Sequence, residues 1–453
     1  MRVQRRLIAF AAVAALVGAA CGSDDDAATS DTSDSGATET TEAMTESTEA
    51  PETTDEATTE TTEEATTETT EYQAPARGDA DLVIWADETR ASVLEPIADE
   101  FAAAEGITVD VVEIPNGEIR SQFSTAAPAG EGPDIVTGAH DWLGEFVSNG
   151  VVAPIDLGPD ADLYADVAIE AFTYDGALYG VPYAIENIAL IRNVDLVPET
   201  PATFEDLEAT ALALQADGTV DVPLGLQEDP ADPYHNYPLF SALGGYVFGQ
   251  NEDGTYNADD VGIDSEGGLA AAQKFADWSN EGLISKDVSQ DIMKETFSTG
   301  KSPFAITGPW NVGDFTDAGI NFVVEPIPPV EGGTPEVFVG VQGFMQSAFS
   351  ESPDLATTFM VDYLNSEEVQ LALFDAGGRP PAMLSAYDQV SSDPIIQGFG
   401  LAGQQGTPLP AIPAMGSVWE SWTDAYSLIF TGTDPVQAFT DAAAQIREKI
   451  AEG

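Results

Sequence analysis

The sequence predicts an α/β fold, and three observations carry that prediction. From Asp79 onward, short apolar runs of strand character alternate with longer runs whose apolar residues recur at helical spacing. The first such strand–helix–strand, "DLVIWADETRASVLEPIADEFAAAEGITVDVVEI", has the length of a parallel crossover, which is right-handed. Finally, Asp79–Gly453 spans about 375 residues, more than one hydrophobic core usually serves and suited to two lobes.

The chain begins differently. Met1 to Ala20, "MRVQRRLIAFAAVAALVGAA", joins three arginines to an unbroken apolar run, the n-region and h-region of a signal peptide, too short to span as a mature helix. Cys21 follows directly and is the only cysteine, which excludes an internal disulfide and a structural zinc site built on several cysteines. Its place after small residues resembles a bacterial lipobox, with Gly18 where a leucine is usual, and marks Cys21 as a lipidation site. Residues 21–78 then form an acidic Thr/Glu-rich tether. No Lys or Arg occurs between Gly22 and Ala76, so the segment lacks apolar surface to bury and its charges extend it.

The folded part opens on the strand "DLVIWA". A helix follows with Leu94, Ile97, Ala98 and Phe101 at helical spacing, Pro96 expected near its first turn and Gly106 at its end. "ITVDVVEI" is the second strand and "GPDIVTGA" the third. "GVVAPI" reads as a connection and "GALYGVPYAIENIALIRN" as a long extended run. Helices are expected around Glu205–Ala216, Glu266–Glu281, Asp354–Asn365 and Pro435–Ile450. "NEDGTYNADD" has acidic spacing that fails a calcium loop and fits a hairpin turning at Asp253-Gly254.

Ligands of open α/β sheets bind beyond the carboxyl ends of strands. Four such ends are candidates: Asp87, Glu88 and Arg90 after "VIWA"; Asp141 and Trp142 after "GPDIVTGAH"; Glu186 within an apolar run; and Trp310, thrown outward by Gly308-Pro309. Any one has an ordinary structural reading, a helix cap for Asp141 or core packing for a tryptophan. Together, carboxylates beside flat aromatic faces suit a carbohydrate, whose C–H face stacks while its hydroxyls donate hydrogen bonds. The formal charge of −65, with only 14 Lys and Arg against 79 Asp and Glu, excludes a nucleic-acid partner and disfavours an anionic ligand. His140 and His235 are the only histidines, too few for a His-rich metal centre, and no metal or cofactor is expected.

Over nearly all of Asp79–Gly453 the chain resembles the maltose/maltodextrin-binding proteins, solute-binding subunits of ABC sugar importers. The resemblance rests on "LVIW", "GEGPDIVTGAHDWLG", "YGVPYAIENIALIRN", "LQEDP", "PLFSALGGYVF", "VGIDSEGGLAA", "ITGPWNVGDF", "FVGVQGF" and "MGSVWESW", in the family's order. It implies a periplasmic-binding-protein-like fold of two α/β lobes joined by crossing hinge strands. Lobe 1 would comprise residues 79–185 and 341–392, and lobe 2 residues 186–340 and 393–453. Sugar would sit between them, contacted by Asp87, Glu88, Arg90, Asp141, Glu186, Glu228, Tyr234, Trp310 and Trp419. Departures occur at Gly138, where the family has tryptophan, at Trp142, where it has arginine, and at Glu420 and Thr423. Trp142 is therefore expected to supply the aromatic face that Gly138 lacks.

The implied function is a lipid-anchored extracytoplasmic binding protein of a bacterium. It would act as a monomer, passing maltodextrin to a permease whose ATPase is a separate subunit. Cyclodextrin or trehalose are alternative sugars. A glycoside hydrolase using Asp141 and Glu186 is the competing reading, with no nucleophile–histidine arrangement to support it.

Overall fold

The computed structural model describes residues 72–251 and 254–452. The predicted signal peptide, Cys21 and most of the predicted tether lie outside them. The last tether residues do not: Tyr72 and Ala74 hydrogen-bond Gln122, and Arg77 donates to Gly132 and pairs with Asp134 at 2.7 Å. Contacts with the folded part thus begin ahead of Asp79.

The protein consists of two α/β lobes joined by crossing strands. In the first, Leu82–Ala86 pairs in parallel with Val109–Glu113 and Ile135–Ala139. All five residues of Leu82–Ala86 are buried because the strand lies inside the sheet with helices packed over it. The intervening helix, Glu88–Glu105, buries Leu94, Ala98 and Phe101 and ends at Gly106 with φ 73°. Its start differs from expectation. Asp87 caps the helix by accepting from the Arg90 N–H at 3.0 Å, so the helix begins at Glu88 and Pro96 falls inside it rather than in its first turn. Val152–Ala153, expected to be connection, forms a short strand beside Phe338–Ser347.

The second lobe is built on an antiparallel sheet with Ala189–Asn193 between Phe304–Thr307 and Phe322–Glu325. The expected helices appear as Phe204–Ala216, Glu266–Glu281 and Pro435–Glu452, while Pro353–Thr358 continues as a π-type turn, Phe359–Leu364, in the first lobe. Phe248–Gln250 and Tyr256–Val261 pair antiparallel on either side of the expected hairpin turn, of which Asp253 is outside the described residues.

Two strands tie the lobes together. Phe338–Ser347 places Phe338 in the second lobe's core and Phe344 and Met345 in the first's. Gly180–Glu186 runs antiparallel to it, with Gly340 opposite Glu186, and the chain then enters the second lobe at Ile188. A third crossing lies between Ala386 and Phe399.

Candidate functional site

Each lobe contributes a strand–turn–helix unit of the same design. Ile135–Ala139 runs into the 3₁₀ turn His140–Trp142 and the helix Leu143–Ser148. Phe304–Thr307 runs into Pro309–Asn311 and the helix Val312–Asp317. In both, a glycine near the strand end makes room for an indole. A Cβ at Gly138 would lie 2.2 Å from Trp142 Cζ3, and one at Gly308 would lie 2.0 Å from Trp310 Cζ3. The Trp142 ring therefore occupies the space a side chain at 138 would take, with Phe146 edge-on at 6.0 Å. Trp85 and Trp422 are buried packing residues.

Asp141 is buried at the turn, and its Oδ2 accepts from Trp419 Nε1 of the other lobe at 3.3 Å. Burial pushes its carboxyl up to about 6, against the pull of Arg120 and the Trp419 bond. His140 beside it serves structure. Its Nδ1 accepts from the Val341 N–H at 3.1 Å, and Nε2 faces the Leu409 carbonyl at 3.2 Å, which assigns the proton to Nε2. Desolvation holds this imidazole down at about 4 and hence neutral.

Glu186, on the crossing strand, has both oxygens engaged. Oε1 accepts from Gln342 Nε2 at 2.7 Å and Oε2 from Arg379 Nε at 2.5 Å. Gln342 Oε1 in turn accepts from Arg90 at 3.0 Å. Arg90 is itself buried, donating to Tyr183, Asp87 and Asn116. Asp87 and Arg90 thus form an internal pair that orders the helix start and, through Gln342, supports Glu186. Glu88 is exposed at the helix start.

The second lobe supplies the aromatic side. Tyr234 stands 6.4 Å from Trp310 and 6.2 Å from Phe338, and Phe338 meets Trp419 edge-on at 6.4 Å. Tyr234, Trp310 and Trp419 are half-buried. Among the described residues the buried Tyr234 hydroxyl has no hydrogen-bond partner. Burial raises its pKa well above the ordinary value, and Glu186, Asp232 and Asp141 reinforce the rise. Glu228 is set deeper: Oε2 accepts from Asn236 at 3.2 Å, Oε1 has no partner among the described residues, and burial raises its carboxyl well above the usual range.

The structure therefore brings Asp141, Glu186, Tyr234, Trp310 and Trp419 together between the lobes, with Trp142 beside Asp141. Arg379, Gln342 and Phe338 join them without having been singled out from the sequence. Arg379 lies in "GGRPPA", a stretch with no strand end or aromatic to signal it, and its guanidinium carbon lies 5.1 Å from the Trp310 ring centre. A cavity of about 610 Å³ on the second lobe, lined by Tyr246, Tyr256, Gln250, Gln405 and Thr407 among others, shares Phe338 with this group.

Comparison with known proteins identifies the family. The family model described as "Bacterial extracellular solute-binding protein" matches residues 96–398. A galactooligosaccharide-binding protein of Bacillus subtilis is 30% identical over 386 residues, covering 82% of this chain and 90% of the relative. A maltotriose-binding protein of Pyrococcus abyssi is 31% identical over 356 residues, 76% of either chain. The structure of the Thermus thermophilus maltotriose-binding protein bound with maltotriose superimposes with a TM-score of 0.75 at 32% identity, covering 82% of this chain and all of that one. With the two lobes, the crossing strands and a match over most of its length, the chain belongs to the bacterial extracellular solute-binding protein family.

Proposed function

We propose that this protein captures malto-oligosaccharides between its lobes and presents them to an ABC importer. The observation that carries the reading is the pairing of Asp141 and Glu186 on one side with Tyr234, Trp310 and Trp419 on the other. Sugar hydroxyls donate to carboxylates, and the C–H faces of glucose rings stack on aromatic rings. The unpartnered Tyr234 hydroxyl is a further site for a sugar oxygen. Trp142, over Gly138, adds an aromatic face on the first lobe. The maltotriose-bound and maltotriose-binding relatives favour an α-glucan. The Bacillus relative makes a galacto-oligosaccharide the second reading. In this proposal the lobes comprise residues 79–185 with 341–392 and 186–340 with 393–453. Lipid on Cys21 anchors the mature monomer outside the cell, and the permease and its ATPase are separate chains.

A binder rather than a hydrolase fits the carboxylates. An inverting or retaining glycosidase needs one acid and one free base or nucleophile. Each Glu186 oxygen accepts one bond, from Gln342 or Arg379, and keeps a lone pair for a sugar hydroxyl, but the carboxylate is pinned by these partners rather than free to attack. Calorimetry against maltotriose, cyclodextrin, trehalose and a galacto-oligosaccharide tests the proposal, with chromatography of the incubated sugars for products. One saturable site for maltotriose with no product supports it; absence of binding to any of them, or release of glucose, overturns it.

A further inference from the structure

The contact between Arg379 and Trp310 joins one lobe to the other without passing through a strand. Arg379 follows the helix Glu367–Gly377 of the first lobe, and Trp310 stands at the strand end of the second. Its guanidinium is held by Glu186 and lies over the indole, 5.1 Å from the ring centre. The backbone beneath is equally close. Gly378 has φ +66°, and a Cβ there would lie 2.7 Å from the Pro309 carbonyl oxygen. The turn Gly377–Arg379 is thus fitted to the turn Gly308–Trp310, and a glycine is required at 378 both for its backbone and for the approach. A guanidinium held in place by a carboxylate and laid over a half-buried indole makes a cation–π contact stronger than a fully exposed one.

We infer that Arg379 is an interlobe latch, which stabilises the closed arrangement of the lobes by contact with Trp310 and shares that indole with the sugar. The latch itself stands on these contacts; its role in setting affinity rests on the oligosaccharide reading above. Glu186 aims the guanidinium, and through Gln342 and Arg90 the aim is fixed to the helix start at Asp87. A sugar entering the cleft must offer Trp310 more than Arg379 does, so the latch discriminates against ligands that stack poorly. The fraction of protein with lobes parted sets how much is competent to take up sugar, and the latch sets that fraction.

The test needs no sugar. Spin labels on cysteines placed at the exposed residues Ser121 and Gln273, one per lobe, in the full Cys21→Ser chain report the interlobe distance distribution. A closed population is expected without ligand, and Arg379→Ala should lower its ratio to the open population on the order of tenfold. Arg379→Lys keeps the charge beside Glu186 but loses the planar stack, and should also lower the ratio. Trp310→Leu should have the same effect from the other lobe, and the double variant should add little to either single change. An unchanged distribution in variants whose circular dichroism shows them folded, or effects of the two substitutions that simply add, overturns the latch. Maltotriose titration of the same native sample separates the two ideas. A chain that closes by itself but never binds maltotriose sinks the functional reading and leaves the latch standing.

Discussion

Two side chains make the chemistry of the cleft measurable one residue at a time. Asp141 is buried with its carboxyl pushed up to about 6, whereas a free aspartate titrates near 4. Between about pH 4 and 6 the folded protein therefore keeps a proton that the unfolded chain has lost. The stability this provides is full below pH 4 and disappears as pH rises through 6. Sugar hydroxyls that donate to Asp141 favour its ionised form, so affinity should rise with pH through 6 and level off above it. At pH 5 maltotriose should bind up to about tenfold more weakly than at pH 7.5, and Asp141→Asn should flatten the profile. Calorimetry at the two pH values decides it; a native profile as flat as the variant's removes Asp141 from the ligand contacts. Trp310→Ala should cost ~1–3 kcal/mol of binding, by analogy with base stacking, which is tenfold or more in affinity. A folded Trp310→Ala protein that binds maltotriose as tightly as the native one would overturn the aromatic placement.

At the level of elements, the close fit of turns between lobes makes a prediction about backbone rather than side chain. Gly378→Ala introduces a Cβ 2.7 Å from the Pro309 carbonyl at a position with φ +66°. The strained backbone should cost about 1 kcal/mol of stability, visible as a lowered melting temperature. The clash should act on closure, weakening maltotriose while each lobe keeps its circular dichroism. A variant with the native affinity would show that the two turns part when sugar is bound. The elements themselves were largely legible in the sequence. "DLVIWA" and "GPDIVTGA" are near-continuous apolar runs because both faces of that sheet are covered, and Gly106 stops its helix in the left-handed conformation it was expected to supply. Pro96 misled, because proline normally marks a first turn and here a capping Asp87 started the helix eight residues earlier. The site was legible only where strand ends announce it. Arg379 and Gln342 reach Glu186 from 193 and 156 positions away, and no local pattern of spacing or periodicity encodes such an encounter.

The whole molecule adds two expectations, one for each end of its working life. If Cys21 carries the anchor, Cys21→Ser should release the protein to the medium or leave its leader uncleaved, as membrane fractionation and mass spectrometry will show. A variant still processed and still membrane-bound would exclude lipidation there. The other expectation concerns motion. Asp141 belongs to the first lobe, Glu186 ends the crossing strand where the second lobe begins, and Tyr234, Trp310 and Trp419 pack with the second lobe's core. Neither group can enclose a sugar without the other. A ligand touching both has more contacts with the lobes closed than parted, and that difference is what drives a hinge. The crossing strands Phe338–Ser347 and Gly180–Glu186 allow this because the cores lie at either side of them, with Phe338 in one and Phe344 in the other. Closure would also turn occupancy into a shape that a permease can read, without the binding protein spending any chemical energy. Small-angle scattering of the protein with and without saturating maltotriose should show a smaller radius of gyration in its presence. In Arg379→Ala the sugar-free radius should be larger and the saturated radius unchanged, because the latch biases the free state while the sugar bridges the lobes in the bound one. A radius that stays the same while calorimetry records binding would mean that the lobes are already closed or never close, and occupancy would have to be signalled by the sugar itself.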